Sequence, residues 1–145
     1  MRVIRKLNVA VLMCAALATG AALADTVTLK ANLQPSSEVP PNTSKGHGEL
    51  QAKLDTSTKL LSWNVTYDDL TGPATAAHFH GPAPVGQNAG PTIPIAKTAL
   101  ASPITGSQTL TDSQVQDLMG GKWYFNVHTA KNPSGEIRGQ VMPAN

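Results

Sequence analysis

The sequence predicts an all-β domain, an antiparallel sandwich or small barrel with one short helix. Three observations lead there. Seven or eight short segments alternate apolar and polar residues with a period of two, clusters of Gly, Pro, Asn, Asp and Ser separate them, and only one stretch carries a helical pattern.

The elements follow in chain order. Arg2, Arg5 and Lys6 make a basic start, Leu7 to Ala18 is an uncharged apolar run, and Ala22-Leu23-Ala24 has the small-x-small pattern of a cleavage site. Residues 1–24 therefore read as a signal peptide cut after Ala24. The apolar run, about 12 residues, is well short of the roughly 20 that cross a bilayer. Met13 stands before Cys14 where a lipoprotein signal needs a small residue, so no lipid anchor is expected. Residues 25–145 are expected to form a single domain in the periplasm or the extracellular medium, with no membrane insertion after cleavage.

Val27, Leu29, Ala31 and Leu33 alternate with polar residues as a half-buried strand that stops at Pro35, and the polar, proline-containing stretch Ser36 to Ser44 reads as a loop. Leu50, Ala52 and Leu54, then Leu61, Trp63, Val65 and Tyr67, make a hairpin around the turn Asp55 to Thr58. A strand over Ala74 to His80 leads into Gly81 to Pro91, whose glycines and prolines exclude regular structure. Long ordered loops of this kind often carry function. Short strands are expected around Thr92 to Ile95 and Ser107 to Leu110. Thr111 or Asp112 caps a helix whose apolar stripe is Val115, Leu118 and Met119 and which ends at Gly120-Gly121. Trp123 to His128 places Trp123, Phe125 and Val127 on one face and Tyr124, Asn126 and His128 on the other, and the last strand covers Glu136 to Val141.

Charge excludes some partners. After Ala24 there are eight Lys and Arg against nine Asp and Glu, a net charge of −1 with histidine neutral. Such a domain has no basic footprint for nucleic acid or for an anionic membrane surface. Cys14 is the only cysteine, so disulfides, thiolate metal sites and cysteine nucleophiles are unavailable after cleavage. No nucleophile elbow, phosphate loop or dinucleotide fingerprint is present.

The histidines are the main chemical signal. His78 and His80 flank Phe79, so in a strand both imidazoles project from one face, about 6.5–7 Å apart at the backbone. His128 lies on another strand and could bring a third nitrogen to the same ion. Three neutral imidazoles suit copper first, with zinc as the alternative, and do not suit calcium or magnesium. His47, between Gly46 and Gly48, reads as a loop residue outside the set. Glu136 and Arg138, two apart, are expected to share a strand face and form an ion pair.

Four stretches occur in order: Glu38-Val39-Pro40-Pro41, Ala76-Ala77-His78-Phe79-His80-Gly81, Tyr124-Phe125-Asn126-Val127-His128-Thr129 and Asn132-Pro133-Ser134-Gly135-Glu136-Ile137-Arg138-Gly139. Together they resemble the CHRD domain, a family named from chordin and widespread in bacterial exported proteins, from about Thr26 to the C-terminus. The resemblance implies an immunoglobulin-like antiparallel sandwich or small Greek-key barrel. More distantly it is similar to copper/zinc superoxide dismutase, where a His-x-His pair and a later histidine hold copper. Only His78, His80 and His128 match that pattern. The further histidines, the aspartate arrangement and the disulfide cysteines of the dismutase have no counterpart. The leading expectation is an exported copper-buffering or copper-handling protein rather than an enzyme. A metal-free module contacting another envelope or extracellular protein, and a dismutase-like redox enzyme, are the alternatives.

Overall fold

The computed structural model describes residues 25–144, so the signal peptide expected over residues 1–24 lies outside the described residues. Eight strands follow in order: β1 Thr26–Leu33, β2 His47–Asp55, β3 Leu60–Asp68, β4 Ala74–His80, β5 Pro91–Pro94, β6 Ile104–Thr109, β7 Trp123–Thr129 and β8 Ile137–Pro143. One helix, α1 Asp112–Met119, precedes β7. The fold is all-β and antiparallel with one short helix, as predicted. No helix among the described residues is long and apolar enough to cross a membrane.

The strands form one curled sheet in the order β5-β4-β7-β8-β1-β2-β3-β6. Connections β3–β4, β5–β6 and β6–β7 cross from one half of it to the other. The halves close face to face through alternating apolar residues: Leu29 and Leu33 of β1, Leu50 and Leu54 of β2, and Leu61 and Val65 of β3 share one core with Phe79, Phe125, Val127 and Ile137. Trp63 meets Phe79 across it edge-on, with ring centroids 5.2 Å apart. Thr111 caps α1 with a full capping box to Gln114, and Leu118 inserts into the core.

Several boundaries differ from expectation. β6 starts at Ile104 rather than near Ser107, and Leu110 lies beyond its end. It is an edge strand paired only with β3, and past Ile104 its residues are exposed, so no apolar alternation marked it. His47 begins β2 instead of sitting in a loop. Glu136 precedes β8 and makes no ion pair with Arg138. Its carboxylate accepts from Ser44 Oγ at 2.5 Å, Thr71 N at 2.8 Å, Thr71 Oγ1 at 2.7 Å and Thr129 Oγ1 at 2.5 Å. Arg138 points instead to the loop after β4.

Candidate metal centre

β4, β7 and β8 lie side by side, and the residues that alternate away from the core meet on the outer face of that half-sheet. Register sets His78 opposite Asn126, His80 opposite Tyr124 and Ala76 opposite His128. On the other flank of β7, Asn126 faces Arg138 and Tyr124 faces Gln140. An outer sheet face is ordinarily wet, yet Tyr124, Asn126 and Arg138 are almost wholly buried, because two loops cover them.

The first cover is the Gly81 to Gly90 loop, closed at its base by Gly81 N–H donating to the Gly90 carbonyl. Arg138 donates to Asn88 Oδ1 at 2.9 Å and to the Gln87 carbonyl at 2.6 Å. The Ala89 carbonyl accepts from His80 Nδ1 at 2.9 Å and from Tyr124 Oη at 3.1 Å. Asn88 Nδ2 donates to the Val39 carbonyl and so ties this loop to the second cover, the segment carrying Glu38. The Arg138 guanidinium lies 3.4 Å from the centre of the Tyr124 ring, and that ring stacks on His80 at 4.7 Å and 3°. This stack of guanidinium, phenol and imidazole fixes the plane of His80.

The structure brings His78, His80 and His128 together as the sequence suggested. Their nearest ring nitrogens all lie within 4.8 Å of one another, and His78 Nδ1 is 3.3 Å from His128 Nε2. Nitrogens bound to one ion at about 2.0–2.1 Å are roughly 3.3–4.1 Å apart, so small ring movements close the set. The tautomers also suit a cation. His80 Nδ1 faces the Ala89 carbonyl, and His128 Nδ1 faces the Pro133 carbonyl at 2.9 Å. A carbonyl only accepts, so in the neutral form of each ring Nδ1 carries the proton and Nε2 presents a lone pair inward. Burial, followed by the neighbouring imidazoles, lowers the pKa of His78. Burial likewise lowers that of His80, against the Ala89 carbonyl and the Asn126 side chain, which favour the charged ring. Both shifts favour the neutral ring, the form that ligates. His78 and His128 remain part-exposed, which leaves the cluster open on one side. His47 does not join it and lies 3.9 Å from Asp69.

Sequence reasoning assigned no role to Asn126, Tyr124, Arg138 or Glu38 at this site. The alternation of Tyr124, Asn126 and His128 on one face was the available signal for the first two. Glu38 is 5% exposed, and its Oε1 has no hydrogen-bond partner. Burial drives its carboxyl from 4.5 up to about 7, against the charge of Arg138, the Asn126 amide and the Val39 N–H. In the unfolded chain the same acid ionises near 4.5, so this group costs stability increasingly as pH rises through 4.5 towards 7. Metal-free Glu38→Gln should therefore gain on the wild type by on the order of 2–3 kcal/mol between pH 5 and pH 8. Urea midpoints at the two pH values measure this, and a pH-independent difference would contradict it. Gly135 makes room for Glu38: its φ is +124°, and a Cβ there would stand 2.3 Å from Glu38 Oε1.

The CHRD domain family model matches residues 29–141, which includes all three histidines and both covering loops. No curated protein and no solved structure matches the chain. A match over most of the sequence, on an antiparallel β fold of the expected kind, identifies the chain as a member of the CHRD domain family.

Proposed function

We propose that this CHRD domain is an exported metal-binding protein in which His78, His80 and His128 hold a transition metal, copper in the first place and zinc in the second, for buffering or handling. The observation that carries the reading is the paired tautomer constraint. Two imidazoles have their outer nitrogens committed to backbone carbonyls and their inner lone pairs aimed at one point beside the third ring. That is the usual support for histidine ligands, where the outer N–H bond sets both ring orientation and basicity. When bound, the metal would supply Lewis acidity and, for copper, a one-electron couple. The protein orients the rings and shields His80 beneath the Ala89 loop. Among first-row divalent ions copper binds such nitrogens most tightly.

Calorimetric titration of the metal-stripped protein with Cu(II) and Zn(II), beside a variant with all three histidines changed to alanine, tests the reading. The expected result is one Cu(II) per chain, bound more tightly than Zn(II), with neither bound stoichiometrically by the folded variant. Because protons compete for the same lone pairs, affinity should fall as pH drops through the histidine range. Equal binding by wild type and variant would refute the proposal.

A further inference from the structure

We infer that Asn126 supplies a fourth donor, its side-chain oxygen Oδ1, to a metal held by His78, His80 and His128, giving a set of three nitrogens and one oxygen. The inference rests on the metal-binding reading above and adds a ligand to it. Asn126 stands on β7 two residues before His128 and directly across from His78, so its side chain rises from the same face. It is 3% exposed. Its Oδ1 lies 3.0 Å from His80 Nε2 and 3.0 Å from His128 Nε2.

Those contacts cannot all be hydrogen bonds between neutral groups. With the protons of His80 and His128 on Nδ1, both Nε2 atoms are acceptors, and Oδ1 is an acceptor as well. In the neutral rings the lone pairs of His80 Nε2, His128 Nε2 and Asn126 Oδ1 thus converge in a part-buried space, an arrangement that a cation satisfies. Turning the amide over would offer N–H groups to the rings, but it would bring the carbonyl oxygen to Glu38. There, Glu38 Oε1 and Asn126 Nδ2 crowd the same point above Gly135, 2.3 Å and 2.8 Å from where a Cβ would stand. A carboxyl oxygen facing that position favours the amide nitrogen, so Glu38 acts as the positioning residue that keeps Oδ1 turned towards the histidines. The spacing of 3.0 Å is close to the roughly 3.3 Å between tetrahedral ligands at 2.0–2.1 Å from one ion. A carbonyl oxygen beside three imidazoles is a harder set than one completed by a thioether, and so it suits Cu(II) or Zn(II) over Cu(I).

The test is Cu(II) titration of the metal-stripped protein, followed by calorimetry and electron paramagnetic resonance, for the wild type, Asn126→Leu, Asn126→Ala, Asn126→Asp and the triple histidine variant. Thermal melts identify which variants are folded. Loss of the oxygen donor in Asn126→Leu should weaken Cu(II) at least tenfold and change the parallel g and hyperfine values. Asn126→Asp, which retains an oxygen there, should bind at least as tightly as the wild type. Asn126→Ala serves if the leucine variant does not fold. Wild-type affinity and an unchanged spectrum in a folded Leu or Ala variant, with the triple variant inactive in binding, would overturn the role of Asn126 alone. Equal binding by wild type and triple variant would overturn it together with the metal reading.

Discussion

Replacing Glu136 by alanine is expected to lower the stability of the domain by about 3–5 kcal/mol, a fall in Tm on the order of 12–20 °C. The side chain is fully buried, and no cation among the described residues forms a salt bridge with it. Four donors from three separate segments hold it: Ser44 of the loop before β2, Thr71 of the loop before β4, and Thr129 at the end of β7. Burial alone would raise its pKa, but hydrogen bonds from Ser44, Thr129 and Thr71 outweigh burial and hold the carboxyl at about 2, against 4.5 for the free acid. The folded pKa is the lower one, so the stabilisation is complete above about 4.5 and is lost as pH falls towards 2. Glu136→Gln keeps the shape and loses the charge, and should cost roughly 2 kcal/mol at pH 7. Its deficit should shrink between pH 5 and pH 2. Denaturant midpoints across that range measure both effects, and a deficit that stays constant in acid would contradict the charge-based account. Metal binding should weaken as well, since the Glu136 carboxylate accepts from Thr129 Oγ1, on the residue next to His128, and so ties β7 to the end of the turn that presents the Pro133 carbonyl to His128.

The same residue shows where sequence reading stops. Period-two alternation located the core strands because apolar residues on one face must meet, as Leu29, Ala31 and Leu33 do against Leu50, Ala52 and Leu54 across the β1–β2 ladder. It also placed His78 with His80, a purely local consequence of strand geometry. That His128 joins them depends on the β4–β7 register, which sets Ala76 opposite it and is decided by long-range pairing. The expected Glu136–Arg138 ion pair assumed that both residues lie in one strand. The strand begins only at Ile137, so Glu136 turns to the hydroxyls while Arg138 reaches under the Ala89 loop. Nothing local marks Glu38 as buried. It lies in a polar stretch between a 3₁₀ turn at Pro35–Ser37 and two prolines, and its burial follows from the approach of Gly135 and Asn126 from distant parts of the chain. Legibility thus followed the range of the interaction: facing within a strand could be read, whereas partners across loops could not.

Phe79→Ala joins the core to the site and should cost about 3–5 kcal/mol. Phe79 is fully buried between the halves of the sheet, with ring centroids 4.9 Å from Phe125, 5.2 Å from Trp63 and 6.0 Å from Trp123. Its edge-to-face contacts add to the area it buries. Its backbone also sets the spacing between His78 and His80, so the anchor of β4 in the core is what holds the two imidazoles on the opposite face. Phe79→Leu keeps most of that anchor and should lose only about 1–2 kcal/mol, with Cu(II) affinity within about threefold of the wild type. In Phe79→Ala the folded state alone presents the three-histidine cluster, so Cu(II) at 100 times its Kd should restore about 2.7 kcal/mol, visible as a larger rise in Tm than the same excess of Cu(II) gives the triple histidine variant. Melts of both phenylalanine variants with and without Cu(II) read this directly. A folded Phe79→Ala that binds Cu(II) with the affinity of the wild type would mean that the imidazoles are set by something other than the packing of β4, and the loop contacts of Ala89 and Pro133 would then carry the site.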